Sequence, residues 1–426
     1  MATACWGSLL SYMNVHTMQR IDYWFGIPLC LLFSIVDYFS KLLVGGTPAN
    51  TPLKKILCVE LSEMGSAILA YPMMRKALDT YPDLECHFLI FRRNVESVEM
   101  LDLLPSERIH VIEDTNLFTF TCSSISTLIK LRRLGFDAIL DLELFSRCTA
   151  LISFLVGATH KVGFHNYTEE GLYRGTFFTH RVWYNPHYHI SQNFVALLEA
   201  LRTDPTEPPL VKIAIKKEGL TLPRLTVKKE AAHALRVVQA SIPGFASPKR
   251  LILFNPDPGL LALRGWPIES YRELGDRLLA EDSNLYVGII GLERSSRYFD
   301  LIVQDSPHPD RFINLCGTME TLHDLLGLLD IASTLITNDS GPAHLAPLVG
   351  LPSVVFFGPE TPNRYKPLGH TTTSLYAGLA CSPCFSAQNH RRSVCQNNRC
   401  LQAISVDEAL VATRAALAEG DATRAV

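Results

Sequence analysis

Thr337-Asn338-Asp339-Ser340-Gly341-Pro342-Ala343-His344-Leu345-Ala346 combines, in one short stretch, the group types that bind a diphosphate. The stretch lies between two apolar runs, Ala332 to Ile336 and Ser353 to Phe357, so a strand should end at Asp-Ser-Gly-Pro and a helix begin there. The first-turn N–H groups of such a helix point outward, and its partial charge favours an anion. Pro342 suits the first helical position because its φ is already helical and its missing N–H had no partner to lose. Gly341 lets the backbone approach a ligand, Ser340 supplies a hydroxyl, and Asp339 and His344 place polar groups at one end of a parallel strand. An ordinary capped βα turn, with Asp339 or Ser340 as N-cap and His344 a satisfied neighbour, is the plainer reading of the same residues.

Composition narrows the classes of function. The chain has 426 residues, 47% hydrophobic and 19% charged, which predicts two well-buried globular domains. A formal net charge of −3 offers no general attraction to nucleic acid, and no such partner is expected. Eleven cysteines are scattered through the chain, which suits a reducing compartment better than a disulfide framework and predicts a cytoplasmic body.

Near the N-terminus an uncharged run extends from Tyr23 to Val36, bracketed by Arg20 and Asp22 on one side and Asp37 and Lys41 on the other. A spanning helix wants ~20 apolar residues, and Pro28 should kink this one. Tyr23, Trp24, Tyr38 and Phe39 are ring types that settle at headgroup depth, so a monotopic or re-entrant anchor on the inner-leaflet membrane is expected. A buried amphipathic helix packed on the body is the alternative. Gly45 to Pro52 reads as a linker.

From Lys54 onward, short apolar strands alternate with helices. Strands are expected at Ile56 to Leu61, Cys86 to Phe91, Ile109 to Ile112, Ala138 to Leu142 and Lys161 to Phe164, with helices over Ser66 to Tyr81, Ile125 to Leu134, Cys148 to Val156 and His189 to Leu201. The polar, proline-bearing stretch from Arg202 to Leu225 interrupts the pattern, and a second unit then repeats it. Its strands should be Leu251 to Phe254, Leu285 to Ile290, Phe312 to Leu315, Thr334 to Ile336 and Ser353 to Phe357, and one of its helices should run from Gly341 to Val349. Two doubly wound α/β domains facing a cleft follow, with ligands at the carboxyl ends of strands. The expected divisions are 1–46 for the hydrophobic anchor region, 53–225 for the first domain, 226–405 for the second, and 406–426 for a C-terminal helix and tail.

Several motifs then fall in order: Asn255-Pro256; Gly265-Trp266-Pro267 with Glu269 and Tyr271; Gly291 with Glu293; Asn314-Leu315-Cys316-Gly317-Thr318; Asn338 to Ala346; and Phe357-Gly358-Pro359. In that spacing the chain resembles glycosyltransferase family 9, typified by the ADP-heptose:lipopolysaccharide heptosyltransferases. Leu61-Ser62-Glu63-Met64-Gly65-Ser66 resembles the family's opening loop on the acceptor side, and Gly163-Phe164 with Thr179-His180 its mid-domain acceptor region. The resemblance implies a GT-B fold of two Rossmann-like domains, the first holding the acceptor and the second a nucleotide-diphosphate sugar, with no metal or other cofactor required for catalysis. Carried over by position, Asp339, Ser340 and Gly341 would hold the donor ribose and diphosphate, with His344 one turn further in and Asn255 beside them. Glu293 would face the nucleoside ribose, and Arg264 would neutralise the leaving diphosphate or be a solvated surface charge. Trp266 either walls the base or fills the core, and core is the commoner place for a lone Trp.

One departure bears on mechanism. The family's heptosyltransferases carry an aspartate after the glycine of the opening loop, proposed as the base that deprotonates the acceptor hydroxyl; after Gly65 this chain has Ser66. A serine cannot take up that proton usefully at neutral pH, so Glu63 on the same loop and Glu143 after a strand end are the candidate bases. Asp141 and Glu143 otherwise read as a salt bridge to Arg147. Separately, Cys381, Cys384, Cys395 and Cys400, with His390 among them, match the count of a structural zinc site, although free or paired thiols fit as well.

The reading is an inverting glycosyltransferase that moves a sugar, heptose being the family's example, onto a membrane-linked glycan or glycolipid of the bacterial envelope, working at the cytoplasmic face of the inner membrane. A non-catalytic nucleotide-sugar-binding scaffold and a sugar-nucleotide epimerase of the same fold are the alternatives.

Overall fold

The computed structural model of the chain describes residues 15–44, 52–169, 172–242 and 250–424. The expected linker falls almost wholly outside them. They form two compact units, one up to residue 220 and one from residue 221.

In the first unit six strands, β1 (Lys55–Val59), β2 (Glu85–Phe91), β3 (Ile109–Ile112), β4 (Ala138–Asp141), β5 (His160–His165) and β6 (His180–Trp183), form a sheet in the order β3-β2-β1-β4-β5-β6. Every pairing is parallel, with Ile56 opposite both Cys86 and Ala138. The second unit repeats the plan with β7 (Arg250–Asn255), β8 (Leu285–Ile289), β9 (Phe312–Asn314), β10 (Thr334–Asn338), β11 (Ser353–Phe357) and β12 (Thr372–Tyr376), ordered β12-β11-β10-β7-β8-β9 and again parallel throughout. Central strands such as β10 and β11 are buried along their whole length, as helices on both faces of a parallel sheet require. These are the two expected doubly wound units.

Two strands were not foreseen. Both β6 and β12 lie at sheet edges, where half of their side chains face outward, so the apolar run that betrays a central strand is missing. The helix expected over Ser66 to Tyr81 is two helices, Met64–Leu69 and Tyr71–Thr80, which meet at Ala70 ahead of Pro72. The helix expected over Gly341 to Val349 is a short α-helix, Gly341–Leu345, continued by a 3-10 turn, Ala346–Val349. The first-unit core gathers Leu57, Leu89, Ile139 and Ile152. In the second, the helix Val406–Arg424 closes a core around Phe254, Tyr271 and Phe356.

The N-terminal helix Val15–Val44 runs through Pro28 without a break. Pro28 and Trp24 are both exposed, so the Trp24 carbonyl that loses its donor faces outward. One stripe of this helix packs on the helix Arg147–Val156: Cys30 is buried beside Phe177 and Phe178, and Phe33 stacks on Phe154 with ring centroids 5.0 Å apart. Much of the rest of its described surface is apolar and exposed, with Arg20 and Lys41 exposed toward its ends.

Buried imidazoles give the first unit a characteristic pH response. His87 Nδ1 lies 3.0 Å from His110 Nε2, and burial pushes His110 down to about 4. Burial likewise brings His165 and His180 to about 4. Each is neutral when folded and takes up a proton on unfolding near pH 6.5, so the stability it lends is present above that pH and lost as pH falls toward 4. Burial pushes the Asp141 carboxyl up to about 6 and raises Asp114 as well, which acts in the opposite sense, but they are two groups against five, since burial also lowers His87 and His160. Thermal unfolding followed from pH 7 to pH 4 should show a falling first-unit Tm, with a shallower slope in His180→Asn; a Tm independent of pH across that interval refutes the assignment.

Candidate functional site

Each sheet reverses its winding once, between β1 and β4 in the first unit and between β7 and β10 in the second. The carboxyl ends flanking such a reversal are where doubly wound sheets hold ligands. The candidate residues divide between these two places.

In the second unit, two asparagines tie β7 to β10. Asn255, the last residue of β7, donates from Nδ2 to Thr337 Oγ1 at 3.1 Å and to Ser340 Oγ at 3.0 Å. Asn338, the last residue of β10, donates to the Pro256 carbonyl at 2.9 Å and accepts from the Trp266 N–H at 2.9 Å. The Tyr271 hydroxyl also donates to Asn338 Oδ1, at 3.3 Å. Together these bonds fix the turn that carries Asp339 and Ser340. Ser340 occupies the N-cap position, but its hydroxyl makes no bond to the helix it precedes. It is held by Asn255 and lies 3.0 Å from Thr337 Oγ1. The plain capped turn is therefore not what the serine is doing.

Charge collects beside it. Arg264, in the 3-10 turn Ala262–Arg264 after β7, places Nε 3.5 Å from Asp339 Oδ2, and neither atom has a hydrogen-bond partner. Burial pushes the Asp339 carboxyl up, and Arg264 opposes the rise. Arg264 is thus drawn to the turn and is not the solvated charge of the alternative reading. Its guanidinium carbon also lies 5.9 Å from the centre of the Phe385 ring.

Sequence reasoning missed a second pair at the end of β11. Glu360 forms an ion pair with Arg364, Nη2 lying 2.8 Å from Oε1, and accepts from the Thr361 N–H at 2.9 Å. Burial pushes its carboxyl up to about 7, against the pull of Arg364, with the Asp339 charge adding to the rise. The signal was adjacent, because the motif Phe357-Gly358-Pro359 stops one residue short of it.

His344 is buried in the helix Gly341–Leu345, and Gly341 is half-buried. Glu293 stands apart, exposed on a 3-10 turn after β8. The loop from β9 presses against that turn: Gly317 donates to the Gly291 carbonyl at 2.9 Å, and a Cβ on Gly317 would lie 3.0 Å from Glu293 Cα at a φ of +72°. Only glycine suits that approach. Trp266 is core, 3% exposed, stacked on Phe356 at 4.2 Å, with Nε1 donating to the Ile404 carbonyl.

The four cysteines do not form the expected zinc site. Among the described residues no group of three or more His, Cys, Asp or Glu is arranged to hold a metal ion. Cys381 is exposed and Cys400 buried, and the Cys395 thiol donates to the Asn397 carbonyl at 3.1 Å.

In the first unit Glu143 is a brace. It follows β4 and reaches over the loop after β1, where Oε1 accepts from the Leu61 N–H at 3.0 Å, the Ser62 N–H at 2.9 Å and the Ser62 hydroxyl at 2.8 Å. On that loop the Ser66 hydroxyl donates to Glu63 Oε2 at 2.9 Å, and Gly65 sits between them at the start of the helix Met64–Leu69. Glu63 is half-exposed. Gly163 has a structural reason, since a Cβ there would meet the Phe178 ring at 2.5 Å.

The expected salt bridge of Asp141 and Glu143 to Arg147 is replaced by another pairing. Arg147 pairs with Asp22, at 3.2 Å, and Asp141 pairs with the buried Arg174. Arg174 also donates to the Glu143 carbonyl at 3.1 Å and to Thr149 Oγ1 at 3.3 Å. A cavity of about 450 Å³ lies in the same unit beyond β6, walled by Trp183, Tyr188 and Ile213. Removing one partner of a buried ion pair leaves the other uncompensated. Arg174→Gln should therefore lower unfolding free energy by about 3–5 kcal/mol in chemical denaturation, and adding Asp141→Asn should recover part of the loss. Equal losses in the single and double variants would show that the pair is not the cause.

Comparison with known proteins agrees with this geometry. The model of glycosyltransferase family 9 (heptosyltransferase) matches residues 126–394, more than half of the chain. Lipopolysaccharide heptosyltransferase 2 of Salmonella typhimurium is 25% identical over 153 residues, 36% of this chain and 44% of that protein. Lipooligosaccharide heptosyltransferase 2 of Haemophilus influenzae is 27% identical over 127 residues, 29% of this chain and 36% of that protein. Each match thus spans under half of the relative's own length. The structure of the Escherichia coli ADP-heptose lipopolysaccharide heptosyltransferase II superposes with a TM-score of 0.65 at 18% identity, over 86% of this chain and 99% of that one, a likeness of fold. With two Rossmann-like units of the GT-B kind and a family match over more than half of the chain, reaching into both units, the chain belongs to glycosyltransferase family 9.

Proposed function

We propose that the protein is an inverting, metal-independent glycosyltransferase that moves a sugar from a nucleoside diphosphate to a hydroxyl of a membrane-linked glycan or glycolipid, at the cytoplasmic face of the inner membrane. The observation that carries the reading is the Arg264–Asp339 contact. A guanidinium held at a strand switch point without a hydrogen bond to its carboxylate is placed to turn onto an incoming diphosphate. Heptose and adenine are the first donor components to test, because the relatives named above are heptosyltransferases and one is named for ADP-heptose.

In this mechanism the acceptor hydroxyl displaces the diphosphate directly at the anomeric carbon. Arg264 and the Ser340 hydroxyl stabilise the charge that develops on the departing phosphate. Glu293, exposed after β8, faces the ribose hydroxyls. Glu63 takes the acceptor proton. Glu143 is less suited to that task because three donors already occupy Oε1. Ser66, at the position where the family's heptosyltransferases carry an acid, supports a carboxylate displaced by three residues through its bond to Glu63.

Loss of a general base costs ~10²–10⁴-fold in rate. Glu63→Gln should lower transfer by that factor while leaving the thermal shift by nucleotide-sugars intact, and Ser66→Asp added to it should restore part of the rate. Arg264→Met should instead abolish the thermal shift. Full activity of Glu63→Gln would overturn the base assignment. Donor binding without turnover on any lipid extract would favour a binding scaffold, and conversion of the donor alone an epimerase.

A further inference from the structure

The N-terminal helix Val15–Val44 carries a pattern that the chemistry above leaves unused. By length and composition the segment Arg20–Leu43, with a mean hydropathy of 1.6, is able to cross a membrane. Its attachment to the first unit points elsewhere. Residues at intervals of four, Asp22, Gly26, Cys30 and Ser34, form a narrow stripe of polar and small groups that faces the protein. Asp22 Oδ1 accepts from the N–H groups of Arg147 at 2.9 Å and Cys148 at 2.8 Å, capping the helix Arg147–Val156, while Oδ2 pairs with the Arg147 guanidinium. At Gly26 a Cβ would fall 2.6 Å from Arg147 Cβ. Ser34 Oγ accepts from the Thr176 N–H at 2.9 Å. A helix crossing the bilayer would have to release every one of these bonds and leave Arg147 buried without its carboxylate.

The opposite face is as distinctive. Trp24, Phe25, Leu29, Leu31, Leu32, Ile35, Val36, Tyr38 and Phe39 are all exposed. At 3.6 residues per turn they fan over about half of the circumference. No charged residue interrupts that arc, because Asp22 and Asp37 lie toward the docked side and Arg20 and Lys41 at the ends. A rigid partner pressed against one side of a convex ridge would leave much of this arc in water. A fluid apolar phase covers it all, and the rings of Trp24 and Tyr38 are of the kind that settle at the headgroup boundary.

We propose that this helix lies flat in the membrane interface, its stripe clamped to the first unit and its outer half immersed in lipid, and that it does not span. The inference deepens the reading of a membrane-linked acceptor and rests on it for its purpose, but its test is separate. Full-length protein is mixed with vesicles of phosphatidylcholine and phosphatidylglycerol in a 3:1 ratio. It should sediment with them, lipids brominated near the headgroup should quench Trp24 fluorescence, lost in Trp24→Phe, and an N-terminal tag should stay fully open to protease added outside. Leu32→Glu combined with Ile35→Glu, both on the exposed arc, should lower the vesicle-bound fraction more than tenfold with Tm and nucleotide-sugar thermal shift unchanged. Protection of the tag would overturn the proposal in favour of a spanning helix. Failure of the wild type to bind vesicles, with dimers dissociated by the double substitution, would assign the face to a second copy. Vesicle binding by a protein that transfers no sugar to any lipid extract would refute the catalytic reading and leave this one standing.

Discussion

Where a doubly wound sheet reverses its winding, the helices on either side depart to opposite faces, and the carboxyl ends of two neighbouring strands lose their cover. Backbone groups there must find side-chain partners. The second unit meets the demand with neutral amides: Asn255 binds Thr337 and Ser340, and Asn338 binds Pro256, Trp266 and Tyr271. The first meets it with a carboxylate, Glu143, whose one oxygen serves two N–H groups and a hydroxyl. Such braces set where Asp339, Ser340 and Glu63 are presented.

The two ends are also where the protein tolerates buried charge. Asp141 with Arg174, Asp339 with Arg264 and Glu360 with Arg364 all sit at strand carboxyl ends, each acid pushed up by burial and held back by its arginine. The first pair is hydrogen-bonded to itself, and in the third each member finds a backbone partner, Glu360 the Thr361 N–H and Arg364 the Phe385 carbonyl; in the second the two facing atoms have none. A ligand anion gains most at the pair whose bonding capacity is unspent.

Much of this was legible in the sequence. Central parallel strands are buried on both faces, so β1, β10 and β11 read as apolar runs, and Asn255, Arg264, Asp339 and Ser340 could be placed from the motifs beside them. Edge strands β6 and β12 escaped because half of each faces outward. The partner of Asp141 escaped for a different reason. Arg147 stood nearby in sequence, whereas Arg174, 33 residues away, is brought to it only by the fold, and Arg147 is claimed by Asp22 from 125 residues upstream. Spacing reports neighbours along a chain and is silent on such competition. Zinc failed similarly: a count of four cysteines says nothing of where their sulfurs point.

The long separation between Asp22 and Arg147 has a consequence during synthesis. The N-terminal helix leaves the ribosome more than a hundred residues ahead of the helix Arg147–Val156 on which its stripe docks. At about 5–20 residues per second the nascent chain carries that segment undocked for roughly 5–20 s. Through that interval both its faces are open, and whatever meets an apolar nascent segment first, bilayer or chaperone, does so before the protein has a folded domain to offer.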